Sequence, residues 1–334
     1  MKELAIACFR VTALVVAAAL VLGGQAKAAD KAPDWWRAEF PKTDFSKHAV
    51  PLTEIFSGGP PKDGIPSIDR PKFVLAGLHG KLVPTEPVIG LIMNGDARAY
   101  PLRILMWHEI VNDEVGGVPV TVTYCPLCNS AIVFDRRVAG RVLDFGTTGR
   151  LRHSDMVMYD RQTESWWQQF LGQAIVGELT GTRLKTFPAR LESFRNFKKR
   201  APEGKVLVPN DDGMRDYGRN PYAHYDSRPT PYEFFQGPFP DYIDPMVRVV
   251  VVEGEAWALP LIRHAGKVTK GDLTLSWTAG QNSALDVGEI AKGRDVGNVV
   301  VQRTRDGTTT DVVYDVTFAF VYNVFHPEKR IITE

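Results

Sequence analysis

Cysteine is scarce in this sequence, with three residues among 334. Cys8 lies in a segment typical of a secretory signal, which combines an apolar run at 11–22 with a small-x-small cleavage site at Ala26-Lys27-Ala28. We therefore expect cleavage near Ala28 and a mature protein that is periplasmic or secreted. Its only cysteines would be Cys125 and Cys128, a single Cys-x-x-Cys pair in an oxidising compartment.

An excess of charge of either sign is also lacking, since 40 basic residues balance 39 acidic ones. This balance excludes the basic surface typical of nucleic-acid binding, so we expect no nucleic-acid partner. After the signal segment no apolar run is long enough to span a bilayer, which predicts no membrane anchor in the mature chain. The roughly 300 remaining residues are enough for one large folded domain or two smaller ones.

Short apolar runs separated by Gly, Pro and Asx turns predict an α+β fold that is predominantly β, with antiparallel strands and few helices. Asn94-Gly95 predicts a two-residue hairpin turn after the run that begins at Val88. Two further strands are predicted around the Cys pair, at 118–124 and at 131–136. The predicted helix covers 102–113 and is ended by Gly116-Gly117.

The chain also resembles itself at two places. Residues 94–102 align with 253–261, and residues 121–131 align with 274–284, with offsets that differ by six residues. This similarity predicts a degenerate internal duplication. The second copy has threonine and glutamine at the cysteine positions, so the scaffold does not need the Cys pair and a special role for the pair is favoured.

These observations divide the chain into five segments. They are a signal peptide at 1–28, an N-terminal wrapping segment at 29–85, a first β-rich repeat at 86–205, an aromatic connecting loop rich in Pro and Gly at 206–245, and a second β-rich repeat at 246–334.

The turn Cys125-Pro126-Leu127-Cys128 lies between two predicted strands, as in a metal knuckle whose two thiolates converge on one ion. Asn129 follows the turn, and asparagine tolerates the left-handed conformation that glycine usually supplies there. One knuckle provides two ligands, whereas a closed zinc site has four. A zinc ribbon is excluded because the sequence has no second ligand pair.

The remaining ligands must come from other segments. Six side chains carry suitable donor atoms: His108, His153, Met156, Met158, Asp155 and Asp160. In a regular strand Met156 and Met158 share one face and His153 points to the other, unless His153 lies in the preceding turn. Thiolate, thioether and imidazole donors together favour copper(I), with zinc as the alternative ion. The sequence therefore predicts a metal-binding or redox-linked site formed by Cys125, Cys128 and His108, with Met156 or Met158 as soft ligands.

Two other functions stay open at this point. The Cys pair can form a structural disulfide in a non-catalytic module, whose aromatic residues at 206–245 would bind a small molecule, a glycan or a periplasmic protein. Alternatively, Cys125 can be the nucleophile of a hydrolase or transferase, with His108 as its base.

Six motifs spread over the mature chain form a distinctive set: Gly64-Ile65-Pro66, Ala99-Tyr100-Pro101, Trp107-His108-Glu109-Ile110-Val111-Asn112-Asp113, Tyr124-Cys125-Pro126-Leu127-Cys128, Val157-Met158-Tyr159-Asp160-Arg161 and Tyr217-Gly218-Arg219-Asn220-Pro221-Tyr222. This set resembles the exported prokaryotic family known as domain of unknown function 3179, which implies no established activity. The resemblance implies that residues 107–109, the Cys pair and residues 158–161 belong together as the family's signature. It favours His108 over His153 as the partner of the cysteines.

Overall fold

The structure, a computed structural model, describes residues 31–334. The predicted signal peptide and Cys8 lie outside the described residues. None of the helices among residues 31–334 combines the length and the apolar composition that crossing a bilayer requires. The α-helices of this part of the chain are α1 (Asp34–Glu39), α2 (Leu102–His108), α3 (Phe194–Arg200), α4 (Leu259–Ala265) and α5 (Ala319–Phe325).

The strands outnumber the helices and are mostly short, as the punctuated apolar runs predict. In chain order they are β1 (Ile55–Ser57), β2 (Lys72–Leu75), β3 (Pro87–Met93), β4 (Asp96–Pro101), β5 (Ile110–Val115), β6 (Val118–Cys125), β7 (Ser130–Asp135), β8 (Arg137–Val138), β9 (Arg141–Val142), β10 (Phe145–Arg152), β11 (Asp155–Asp160), β12 (Trp166–Gln168), β13 (Gln173–Val176), β14 (Thr186–Phe187), β15 (Arg190–Ser193), β16 (Lys205–Val208), β17 (Arg248–Val252), β18 (Glu255–Ala258), β19 (Lys267–Lys270), β20 (Leu273–Thr278), β21 (Asn298–Arg305), β22 (Thr308–Asp311) and β23 (Tyr314–Phe318).

The strands form several sheets, in the orders β1-β10-β11-β12-β13, β14-β7-β6-β5, β15-β3-β4-β16-β2, β18-β17-β23, β19-β20-β21-β22 and β8-β9. Within residues 31–334 these strands pair antiparallel, except that β16 runs parallel to β4. The predicted fold class, predominantly β with antiparallel strands and few helices, is therefore confirmed. The N-terminal segment joins two of the sheets, because β1 pairs with β10 and β2 with β16.

The predicted helix at 102–113 is wrong in its second half. The helix α2 ends at His108, because Glu109 adopts a φ of 57° and leaves the helical region. The β-branched residues that follow continue as β5, which pairs with β6. Gly116-Gly117 form the turn between these two strands and do not end a helix. Asn112 therefore lies on a strand and not one helical turn from His108. Its side-chain amide exchanges two hydrogen bonds with the backbone of Phe145.

The order of elements recurs along the chain. The run β3-β4-α2-β5-β6-β7 has the same succession of strands and helix as β17-β18-α4-β19-β20-β21. The last two strands of the first run are joined by four residues, 126–129, whereas residues 279–297 separate those of the second. The recurrence is what an internal duplication predicts, and the duplication itself stays a hypothesis.

The Cys-containing turn lies inside the largest apolar cluster of the described residues. This cluster includes Tyr124 and both cysteines from the first half of the chain and Phe318 from the second half. The aromatic segment between β16 and β17 also reaches the turn, because Tyr225 donates a hydrogen bond of 2.9 Å to the carbonyl oxygen of Leu127. Elements far apart in sequence therefore position this one turn.

Candidate functional site

Cys125 is the last residue of β6, and Cys128 lies in the four-residue connection to β7. The amide of Cys128 donates to the carbonyl of Cys125 at 3.2 Å, and Asn129 has a φ of 54°, the left-handed conformation predicted for it. The side-chain amide of Asn129 donates 2.8 Å to the carbonyl of Val316, which ties the turn to β23. Both cysteines are buried and have free thiols in this structure.

A second turn brings a carboxylate to the thiols. His153 and Ser154 both have positive φ, 55° and 66°, and form the two-residue turn between β10 and β11. The carbonyl oxygen of Ser154 accepts hydrogen bonds from the thiols of Cys125 and Cys128, with sulfur–oxygen distances of 3.8 and 3.6 Å. Asp155 begins β11 directly after this turn. One donor atom from each of Cys125, Cys128 and Asp155 lies within 4.8 Å of the other two.

The carboxylate of Asp155 is only half satisfied by its neighbours. Its Oδ2 accepts hydrogen bonds from the Gln168 side-chain amide at 2.5 Å and from the Phe170 backbone at 2.9 Å. The thiol of Cys128 also lies within hydrogen-bonding reach of this carboxylate. The Oδ1 atom is buried and accepts no hydrogen bond from an N–H or O–H group among the described residues. A thiol is a weak hydrogen-bond donor, so a buried carboxylate oxygen with no stronger donor is available to a metal ion that also binds the sulfur.

Burial dominates the electrostatics of these acids. It raises the pKa of both thiols, and it raises the pKa of Asp155 to about 6. Burial, together with the negative charge of Asp155, raises the pKa of Glu109 to about 8. Four groups that can become anionic thus share one poorly solvated region, and a bound cation would favour their ionised forms.

A cleft with about 560 Å³ of empty space, partly open to solvent, reaches this region from one side. Cys125, Glu109 and Met156 are among the residues that line it. The aromatic segment contributes Tyr222 and Phe234 to its walls. The cleft therefore connects the solvent to one of the two cysteines.

His108 does not belong to the group of donor atoms around the cysteines. Its Nδ1 lies 2.7 Å from the carbonyl oxygen of Pro66, and its Nε2 lies 2.7 Å from the hydroxyl of Tyr217, whose ring stacks on the imidazole. Burial lowers its pKa, so the neutral ring is favoured. Both ring nitrogens have protein partners, and the structure gives His108 a role in holding the N-terminal segment against the segment that contains Tyr217.

The other predicted ligands are divided between the cleft and the core. Met156 lines the cleft next to Cys125, whereas Met158 is fully buried and pairs with Trp167 across β11 and β12. His153 lies in the turn before β11. Its Nε2 is 3.4 Å from a carboxylate oxygen of Glu54. The structure therefore brings Met156 to the cysteines and directs His153 elsewhere.

Asp160 has a structural environment. Its two oxygens accept hydrogen bonds from the backbone and hydroxyl of Thr163 at 2.7 to 2.9 Å and from the indole of Trp167 at 3.0 Å. These contacts close the tight connection between β11 and β12. The sequence alone does not separate Asp155 from Asp160. Of the two, only Asp155 has an oxygen that accepts no hydrogen bond from an N–H or O–H group of the described residues.

Glu109 is a functional candidate that the sequence analysis missed as a site residue. It is 8% exposed, and its carboxylate makes no hydrogen bond or ion pair with any residue in the described part of the chain. The available signal was its place beside His108 in the family signature. The predicted helix at 102–113 hid this signal, because in a helix Glu109 would have an ordinary backbone conformation and nothing would single it out.

Comparison with protein families gives one match. The model described as "Protein of unknown function (DUF3179)" matches residues 62–329. The matched region includes the Cys turn, Asp155, Glu109 and the aromatic segment. No curated protein and no solved structure matches the chain. The match covers well over half of the sequence, and the chain therefore belongs to the DUF3179 family of proteins of unknown function.

Proposed function

We propose that Cys125, Cys128 and Asp155 bind one thiophilic metal ion. Support comes from the placement of their donor atoms, which lie within 4.8 Å of one another. Zinc–sulfur and zinc–oxygen bonds of about 2.3 and 2.1 Å in a tetrahedron separate the ligand atoms by roughly 3.5 to 4 Å. Small side-chain adjustments would therefore place all three donors around one ion.

The observation that carries this proposal is the Oδ1 atom of Asp155, which is buried and accepts no hydrogen bond from an N–H or O–H group among the described residues. Buried polar atoms almost always have a strong hydrogen-bond partner, and this carboxylate has only the two buried thiols beside it on that side. A bound cation would satisfy the oxygen and would compensate the charge of two thiolates. The proposed ion would thus replace a weak contact between a thiol and a carboxylate by three metal–ligand bonds.

The donor set favours zinc. Two thiolates and one carboxylate suit a borderline ion, whereas copper(I) prefers sulfur donors alone. Copper(I) is the second candidate because Met156 lines the cleft beside Cys125 and offers a thioether. Affinities for the two ions, measured under reducing conditions, distinguish these candidates.

The test is metal analysis of the purified protein, kept reduced and then titrated with zinc against a chromophoric chelator. We expect one equivalent of zinc, with affinity reduced at least about a hundredfold in Cys125→Ser and Asp155→Asn, since each removes one of three ligands. Asp160→Asn is the matched control, because Asp160 is equally buried but has all its partners within the protein. Full reduction with no zinc or copper bound would contradict the proposal.

A second candidate function is that of a binding module for a small molecule. It is favoured by Tyr222 and Phe234, which line the cleft beside the Cys turn. In this case the Cys pair stabilises the walls of the cleft, and ligand binding does not depend on metal. The same variants separate the two functions, since Asp155→Asn would then leave ligand affinity unchanged.

A further inference from the structure

Glu109 is held in an unusual position with its carboxylate free. Its φ of 57° is rare for a residue with a side chain, and such a conformation persists only where the surrounding structure imposes it. Two backbone hydrogen bonds do so here. The Glu109 amide donates to Leu105 at 2.7 Å, and its carbonyl accepts the amide of Tyr124 at 2.8 Å. The backbone is therefore fixed on both sides, next to the residue that precedes Cys125.

The side chain of Glu109 lines the same cleft as Cys125. Its carboxylate is not one of the donor atoms that lie within 4.8 Å of one another at the proposed metal site. The cleft touches Cys125 and Met156, whereas Cys128 and Asp155 do not line it. An ion held by the two thiolates and Asp155 would therefore be reached from one side, with Glu109 beyond the first ring of ligands.

The walls of the cleft indicate what kind of molecule enters it. They are mainly apolar and aromatic, and include Leu127, Leu151, Tyr222 and Phe234. Arg150 also lines the cleft, but its guanidinium pairs with Glu39 and donates to the Thr148 carbonyl at 2.7 Å. The cleft thus offers apolar contact surface and no unpaired cation that would select an anionic molecule.

We infer that the metal keeps one coordination position open to the cleft, and that a small uncharged molecule with an apolar or aromatic body occupies it. The head group of this molecule coordinates the ion and donates a hydrogen bond to Glu109. Three protein ligands with one open position are typical of reactive metal sites, whereas storage and structural sites are closed. This inference rests on the proposed metal site and adds its ligand class.

The experiment uses the full mature chain loaded with cobalt(II), whose visible absorption reports its coordination. Thiobenzamide and thioacetamide are the probes, since both are uncharged, can coordinate a metal through one sulfur atom and carry N–H donors. We expect each probe to change the cobalt spectrum to saturation while cobalt stays with the protein on gel filtration. The aromatic probe should bind about tenfold more tightly than the methyl probe, and Phe234→Ala should reduce this preference.

Glu109→Gln should weaken both probes about tenfold while cobalt stays bound, because it replaces a carboxylate hydrogen-bond acceptor that lies outside the metal ligands. Glu114→Gln is the control, since Glu114 is an exposed glutamate on the neighbouring strand. Glu109→Gly, which accepts the positive φ, replaces the glutamine variant if that variant does not fold.

The outcomes separate the two levels of the proposal. If cobalt binds but neither probe changes its absorption spectrum, the site is closed. This result would overturn the inference about the open position and leave the proposed metal function standing. Loss of cobalt to the probes, or equal probe affinity in Glu109→Gln, would also overturn it. Absence of cobalt, zinc and copper binding would overturn the proposed function itself.

Discussion

The hydroxyl of Thr317 donates a hydrogen bond of 2.8 Å to the carbonyl oxygen of Cys128. The same carbonyl also accepts the backbone amide of Phe318, at 3.3 Å. Both donors belong to β23, in the C-terminal part of the chain, so the turn that holds the cysteines is clamped by a strand 189 residues away. The clamp satisfies a carbonyl inside the turn and keeps the Cys128 backbone in place.

Replacing Thr317 by valine tests this clamp. Thr317→Val keeps the shape of the side chain and removes the buried hydroxyl donor, which should lower the free energy of unfolding by about 1 kcal/mol. Because the thiols are buried, their alkylation by iodoacetamide requires local opening of the turn, and we expect it to become severalfold faster in the variant. The measurements are urea denaturation and the labelling rate of metal-free, reduced protein. An unchanged labelling rate would show that the Thr317 hydroxyl does not restrain the turn.

His108 should be a structural residue and not a metal ligand. His108→Ala removes two hydrogen bonds of 2.7 Å each and a stacked ring, and should cost about 2 to 3 kcal/mol of stability. Tyr217→Phe removes only one of these bonds and should cost about 1 kcal/mol. Zinc affinity should stay within about twofold of the wild-type value in both variants. A large loss of zinc affinity in a folded His108→Ala protein would restore the ligand role that the sequence suggests.

The stability of the metal-free protein should fall as the pH rises toward 8. Burial raises the pKa of Glu109 to about 8, so the folded protein keeps a proton that the unfolded chain has already released near pH 6.5. Since the folded state binds more protons, the free energy of unfolding decreases with pH, by roughly 1.5 kcal/mol between pH 6.5 and 8 from this group. Urea denaturation in the presence of a chelator measures the difference.

Glu109→Gln provides the control for this pH dependence. The variant cannot ionise at this position, so its stability should change less over the same interval than that of the wild-type protein. The histidines with lowered pKa, such as His108, contribute a change of opposite sign in both proteins, and this contribution cancels in the comparison. Parallel curves for the two proteins would mean that Glu109 is ionised in the folded state throughout the interval.

Local sequence patterns were sufficient for the hairpin of β3 and β4, for the two strands beside the Cys pair and for the turn of the candidate site. Asn94-Gly95 forms the predicted hairpin, with φ values of 49° and 82°, and Asn129 takes the left-handed conformation expected after the Cys turn. Such turns depend on a few adjacent residues with strong conformational preferences. The predicted helix at 102–113 was wrong in its second half because its end depends on long-range strand pairing. Its periodic apolar pattern is shared by α2 and β5, and the pairing of β5 with β6 decided where the helix ends.

The sequence by itself determined the fold class and the family and singled out the Cys pair as the candidate site, because these inferences depend on composition and on contiguous motifs. Only the tertiary structure decided which side chains accompany the pair. His108 precedes Cys125 by 17 positions and bonds Tyr217 instead, whereas Asp155 follows Cys128 by 27 positions and lies beside its thiol. Long-range strand pairing sets these distances, and no spacing in the linear chain encodes them.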